Sequence, residues 1–178
     1  RPGKICVVVS DITRPIPYAS FLPQVLARIE AAGAPRRDML LLIGTGMHRP
    51  STRAERVEMF GERIAAQYEI VDHRADDPAE LADVPGRCWS GHPIRLNRHL
   101  AAAGFRFATG LVEPHFMAGF SGGRKAICPG CAALDTVRRF HGAEFLGDPR
   151  ARNGNLDGNP LHREALSVAR ALGVDFTL

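Results

Sequence analysis

Three short stretches of this chain hold side chains whose types and spacing can do chemistry. The first is Asp11-Ile12-Thr13-Arg14-Pro15. A carboxylate and a guanidinium three residues apart in a turn can face one pocket, and the donor fork of arginine matches the two oxygens of a carboxylate. The same pair equally suits a helix N-cap or a local ion pair. The second is Gly44-Thr45-Gly46-Met47-His48-Arg49-Pro50. Its glycines let the backbone turn sharply, its amides can face an anion near the following helix start, and His48 can serve as a general base. A loop histidine bonded to backbone is the alternative, and the spacing is neither a dinucleotide fingerprint nor a Walker loop. The third runs from Pro114-His115 through Gly119-Phe120-Ser121-Gly122-Gly123 to Arg124-Lys125-Ala126-Ile127. A histidine opens it and a lysine closes it. The small residues between them let the backbone lie against a ligand. Such a lysine can contact a phosphate or, if deprotonated, bond covalently to a cofactor; a solvated anion loop without chemistry also fits. His141, between Phe140 and Gly142, reads by itself as a capping or packing residue.

These histidines form no HxxxH or HxH pattern, so spacing alone predicts no metal site. Cys128-Pro129-Gly130-Cys131 has a suggestive spacing, but a zinc site needs two more ligands and no second CxxC exists. No role is assigned to it.

The elements that must position these residues follow from hydrophobic periodicity. Ile5–Val9 and Met39–Ile43 are apolar runs that read as buried strands, and Tyr68–Val71 as a third. Tyr18–Ala32 has helical spacing, with Phe21, Leu22, Val25, Leu26 and Ile29 on one face and Gly33 at its end. Ser51 is the candidate N-cap of a helix through Phe60. Strands alternating with helices over short connections predict an α/β fold, a mostly parallel sheet with helices on both faces. Ligands in such sheets sit beyond the carboxyl ends of the strands, where Asp11–Arg14 and Gly44–Arg49 fall. Further on, Arg87–Trp89 and Ile94–Leu96 suggest a hairpin, Asn97–Ala103 a short helix, and Phe105–Val112 a strand feeding His115. Met117–Gly130 reads as a long loop, Leu134–Gly142 as a helix, and Asp148–Asn159 as a loop. Leu161–Leu172 is an amphipathic helix, and Val174–Leu178 begins like a strand. A strand begun at the chain end suggests that the natural protein continues.

Length and composition bound the class. The chain has 178 residues, enough for one domain with a real core, and it is 45% hydrophobic. No run approaches a bilayer span, and the Arg1-Pro2-Gly3-Lys4 start does not read as a signal peptide, so a cytoplasmic protein is expected. The net charge of +4 comes from scattered arginines without interleaved aromatics, which suits a small anion better than nucleic acid.

Taken together, Asp11-x-Thr-Arg14-Pro-x-Pro, Gly-x-x-His48-Arg-Pro and Pro-His115-x-x-Ala-Gly-Phe-Ser-Gly-Gly-x-Lys125 resemble the N-terminal domain of the lactate racemase family, over nearly the whole chain. The resemblance implies a Rossmann-like domain and a nickel pincer nucleotide (a pyridinium mononucleotide with two sulfur arms) tethered through a thioamide at Lys125. It implies His141 as nickel ligand, and His48 and His115 as paired acid/base histidines, one for each enantiomer. Asp11 and Arg14 would lie in the substrate pocket, with Arg14 holding the substrate carboxylate, while Thr45, Gly119, Ser121, Gly122 and Gly123 would lie along the cofactor. The implied reaction is racemisation of a 2-hydroxyacid by hydride transfer, which avoids a carbanion beside a carboxylate. Cofactor-biosynthesis proteins are the implied partners, with neither nucleic acid nor membrane, and a C-terminal domain absent from this chain would complete the cleft. A nucleotide- or carboxylate-binding module without redox chemistry, and a basic nucleic-acid-binding domain, are the competing readings.

Overall fold

The computed structural model describes residues 3–178; the Arg1-Pro2 start of the N-terminal stretch lies outside them. In chain order the elements are β1 (Ile5–Ser10), α1 (Tyr18–Ala31), β2 (Met39–Gly44), α2 (Arg53–Phe60), α3 (Glu62–Gln67) and β3 (Glu69–Asp72). Then come β4 (Leu81–Arg87), β5 (Pro93–Asn97), α4 (Arg98–Ala102), β6 (Phe105–Ala108), β7 (Pro114–His115) and β8 (Gly119–Phe120). The last are α5 (Arg124–Ile127), α6 (Leu134–Phe140), α7 (Ala143–Leu146), α8 (Pro160–Leu172) and β9 (Phe176–Thr177).

Five strands form one parallel sheet in the order β3-β2-β1-β6-β9. The expected α/β architecture is thus present. The two central apolar runs do not alternate in polarity because both faces of β1 and β2 are covered. On one face Val7, Val9, Leu41 and Ile43 pack with Tyr18, Leu22 and Leu26 of α1 and with Met59, Phe60 and Ile64 of α2 and α3. On the other, Cys6, Val8, Leu40 and Leu42 meet Ile127, Val137, Phe140, Leu161, Ala165 and Val168. Each large side chain so buried stabilises the fold by roughly 1.5–3 kcal/mol.

β1 has β2 on one side and β6 on the other, so the chain winds away from β1 in both directions. The crevice between the carboxyl ends of β1 and β6 is therefore the topological switch point of the sheet. Tyr18 ties its walls together. Its hydroxyl accepts from the Ser10 amide and lies 3.1 Å from the Thr109 hydroxyl, which donates to the Val8 carbonyl.

Several expected boundaries moved. The N-cap of α2 is Thr52, which forms a reciprocal capping box with Glu55, while Ser51 binds the Asp72 carboxylate instead. The first hairpin strand is Leu81–Arg87, upstream of Arg87–Trp89, and a bulge lies between Val84 and Arg87. β6 stops at Ala108, four residues short of Val112, and the glycine-rich loop contains β8 and α5. Short helices α3 and α7 were not expected. β9 pairs with β6 at Phe107 and Ala108.

Candidate active site

At the switch point lies a cavity of about 220 Å³. Asp11, Arg14, Thr45, His48, His115, Ser121, Gly122, Lys125 and His141 all line it, so residues from all three motifs and the separate Phe140-His141-Gly142 stretch converge. Gly119 and Gly123 are not in its wall.

The β1 end supplies Asp11, whose side chain is buried. One carboxylate oxygen accepts from the hydroxyl (2.6 Å) and amide (3.2 Å) of Thr13, and the other lies 2.5 Å from Nδ1 of His48. A carboxylate accepts only, so Nδ1 of His48 carries a hydrogen, and in the neutral ring Nε2 is the lone-pair nitrogen. Arg14 is exposed, and among the described residues its guanidinium makes no hydrogen bond or ion pair. Thr45 is buried with its hydroxyl donated to the His73 carbonyl (2.6 Å), so it shapes the β2 exit rather than offering a free donor.

His115 sits on the β7–β8 hairpin, and its Nδ1 accepts from the amides of Met117 (3.4 Å) and Ala118 (3.3 Å). Burial, then the charges of Lys125, Arg14, Arg124 and His141, hold its pKa down to about 4. Lys125 lies on α5 rather than at a loop end. Burial first, then Arg14 and Arg124, bring its amine down to about 7. A large share of that amine is uncharged near neutrality, the state a nucleophilic lysine requires. His141 caps α6. Its Nδ1 lies 2.7 Å from the Val137 carbonyl, so Nδ1 donates, and in the neutral ring Nε2 is the lone-pair nitrogen.

The glycine-rich loop is explained partly by the protein itself. Gly119, at φ +78°, packs so tightly that a Cβ would stand 2.2 Å from the Asn155 carbonyl oxygen. The Ser121 hydroxyl donates to the Leu111 carbonyl (2.6 Å) and accepts from the Glu113 amide (2.9 Å). Cys128 and Cys131 are free and fully buried in the core, with burial pushing both thiols up. Among the described residues no cluster of three His, Cys, Asp or Glu side chains could hold a metal, and no helix is long and apolar enough to cross a membrane.

The model of the lactate racemase N-terminal domain matches residues 1–154. The chain belongs to that family. It is 38% identical to a lactate racemase from Lactiplantibacillus plantarum over 98% of its length, covering 41% of that protein. It is 36% identical to a lactate racemase from Thermoanaerobacterium thermosaccharolyticum, covering 98% of this chain and 40% of that one. The chain thus spans about two fifths of these relatives. The solved lactate racemase apoprotein from Thermoanaerobacterium thermosaccharolyticum superposes with a TM-score of 0.93 at 35% identity, over 98% of this chain and 42% of that one. A protein from Thermotoga maritima shares the fold at 24% identity and a TM-score of 0.77, over the whole of this chain and 46% of its own.

Several supporting residues of this lactate racemase N-terminal domain escaped sequence reasoning. Arg124 donates to the Ala118 carbonyl (2.9 Å) and so clamps the His115 hairpin to the helix that bears Lys125. Asn159, wholly buried at the start of α8, donates to the Met117 carbonyl (3.0 Å) and caps the helix with its other atom. Asn159-Pro160 does carry a sequence signal, an N-cap residue followed by proline at the first helical position. Tyr18 and Thr109 carried none, because their partners are brought together by the sheet, whereas Thr13 bonds Asp11 two residues away, inside the first motif.

Proposed function

We propose that this chain is the cofactor-bearing and proton-moving part of a cytoplasmic 2-hydroxyacid racemase, completed by a further domain and loaded by cofactor-biosynthesis proteins. The observation that carries the reading is the convergence of His48, His115, His141 and Lys125 on one cavity. Similarity to proteins named lactate racemase supports lactate-like substrates.

The residues fit the nickel pincer nucleotide of the family. Lys125 offers an amine with a pKa of about 7 for a covalent tether, and His141 offers Nε2 with its tautomer fixed by the Val137 carbonyl. When bound, that group supplies a hydride acceptor that lets C2 become planar. The chain does the rest. Arg14 holds the substrate carboxylate. Nε2 of His48 takes the hydroxyl proton, and Asp11 steadies the imidazolium that results. His115 meets the substrate oxygen from the hairpin. Ser121, Gly122 and Thr45 form wall rather than reactive groups, and Gly119 and Gly123 shape the loop behind them.

The test compares the complete protein made with and without the cofactor pathway. A mass adduct on a Lys125 peptide, nickel content and racemisation of a panel of chiral 2-hydroxyacids should appear together. Full racemisation by Lys125→Ala would remove the tether from the reading.

A further inference from the structure

Lys125 lies on α5 and His141 at the end of α6, and residues 128–133 join the two helices. The first part of this linker belongs to α5. There the Gly130 amide donates to the Lys125 carbonyl (3.1 Å) and the Cys131 amide to the Ile127 carbonyl (2.9 Å). The last part belongs to α6, whose Val137 amide donates to the Ala133 carbonyl (3.0 Å). Ala132, wholly buried, is the joint between the two units. Its neighbours are gripped backbone to backbone. The Gly46 amide donates to the Gly130 carbonyl and the Asn97 amide to the Cys131 carbonyl, each at 2.9 Å, and the Ala133 amide donates to the Arg95 carbonyl at 3.0 Å. The Ala132 carbonyl is held by a side chain instead: Nε2 of His73 lies 2.9 Å from it. A carbonyl only accepts, so Nε2 carries the hydrogen, while Nδ1 faces the Asn97 side-chain amide at 3.5 Å. His73 is 1% exposed, and burial holds its pKa below the ordinary histidine value, which keeps the ring neutral. Its backbone is pinned at the exit of β2. The His73 amide donates to the Ile43 carbonyl (2.9 Å), and the His73 carbonyl accepts from the Thr45 hydroxyl (2.6 Å). The ring is therefore a strut from the ends of β2 and β3 to the joint between the two helices.

We propose that His73 is a positioning residue, which fixes where α6 carries His141 relative to the helix that carries Lys125. The inference rests on the racemase reading and deepens it. On that reading one tethered group spans the joint, with its anchor on α5 and its nickel ligand on α6. Without the Nε2–H of His73 the buried Ala132 carbonyl loses this donor, a cost that a shift of the joint relieves. α6 is the part free to shift. α5 is locked by its own bonds to Gly130 and Cys131, and by the Arg124 guanidinium on the Ala118 carbonyl. Among the described residues no side chain caps the start of α6. Its entry depends on grips from outside: the Arg95 carbonyl on the Ala133 amide, the Ala75 carbonyl on the Leu134 amide (2.9 Å), and the His73 strut. Loss of the strut displaces His141 and leaves Lys125 in place, so nickel and tether respond differently.

The complete protein, made with the cofactor pathway, tests this. His73→Leu fills a similar volume without a donor, and the amide of His73→Asn is too short to reach Ala132. His73→Gln brings an amide hydrogen close to the original Nε2–H. Intact-mass analysis gives the adduct on Lys125, and metal analysis during incubation with a chelator gives the rate of nickel loss per adduct. All three variants should carry as much adduct as the wild type. His73→Leu and His73→Asn should lose nickel about 10-fold or more faster, as an altered support behind a metal ligand does, and His73→Gln should stay within about threefold. Nickel loss at the wild-type rate from Leu and Asn, or equal acceleration in all three, overturns the proposal. Loss of adduct in step with nickel overturns it too. Hydrogen exchange on the complete protein made without the pathway is the second readout. Faster exchange in His73→Asn confined to residues 132–141 supports the strut; a rise that extends through β1 and β2 marks general destabilisation and counts against it. Should His73→Leu fail to fold, the Asn and Gln variants decide both measurements. If the wild type carries neither adduct nor nickel, the racemase reading fails instead, and the exchange pattern still decides whether His73 holds the joint.

Discussion

Oδ2 of Asp11 lies 2.5 Å from Nδ1 of His48, and Oδ1 of the same carboxylate is occupied by Thr13. Asp11 therefore serves His48 before it serves any substrate. The residue is 7% exposed, while the His48 side chain is 57% exposed, so the contact is sheltered from the Asp11 side only. An amide in place of this carboxylate would let the imidazole take the other tautomer. Asp11→Asn should lower racemisation by the complete enzyme about 100- to 10,000-fold with an unchanged circular dichroism spectrum. Near wild-type turnover would show that the contact does not orient His48.

Lys125 and Lys4 are the two lysines of the chain, which makes amine chemistry easy to assign. With its pKa near 7, the rate at which Lys125 acylates under a limiting reagent should climb through neutrality and level off by about pH 9. Peptide mapping gives the rate. A rate still rising tenfold per pH unit at about pH 9 would show that burial and the neighbouring arginines do not act on this amine.

Stability should follow the same groups. His115 is held at about 4 against 6.5, and Lys125 at about 7 against 10.5. Between those values the unfolded chain binds more protons than the folded one, so stability rises with pH in both windows. Below each folded value the cost of burying the charged form is fully present. Lys125→Met should remove the upper slope and raise stability near pH 6 by about 1–2 kcal/mol, read as roughly 2–8 °C in thermal melts. A variant that melts at the wild-type temperature there would contradict the buried-charge account.

Gly119 and Gly46 make a contrasting pair. Both have positive φ, +78° and +58°. A Cβ at Gly46 meets nothing within 4 Å, whereas one at Gly119 collides with the Asn155 carbonyl. Gly46→Ala should cost about 1 kcal/mol from backbone strain alone. Gly119→Ala should cost about 2–4 kcal/mol, because backbone must also move. Denaturant titrations of both variants check the order; equal losses would mean that the hairpin yields freely.

What could be read from the sequence depended on whether a residue's partner was local. β1 and β2 were legible because burial on both faces makes them continuous apolar runs. β4 was not, since Leu81-Ala82-Asp83-Val84-Pro85-Gly86-Arg87 buries only Val84 well and is interrupted by the Pro-Gly bulge. α5 was hidden in a glycine-rich stretch, as four residues are too few to show a period. At the site, the motifs nominated loops that the fold brings to one cavity. They could not reveal the bond between Asp11 and His48, which spans 37 positions and exists because β1 and β2 are neighbours. Nor could they show that Gly119 packs against the Asn155 carbonyl.

The edge strand β9 gives the molecule a handle. It runs parallel to the other four strands, so its carboxyl end arrives at the edge where the cavity opens. There the Leu178 carbonyl holds the Gly110 amide at 3.0 Å, and Gly110 is part of the cavity wall. A fluorophore carried by the side chain of a Leu178→Cys variant would therefore report from beside the wall of the site. Tension applied through that residue would be felt by the wall before it reached the core.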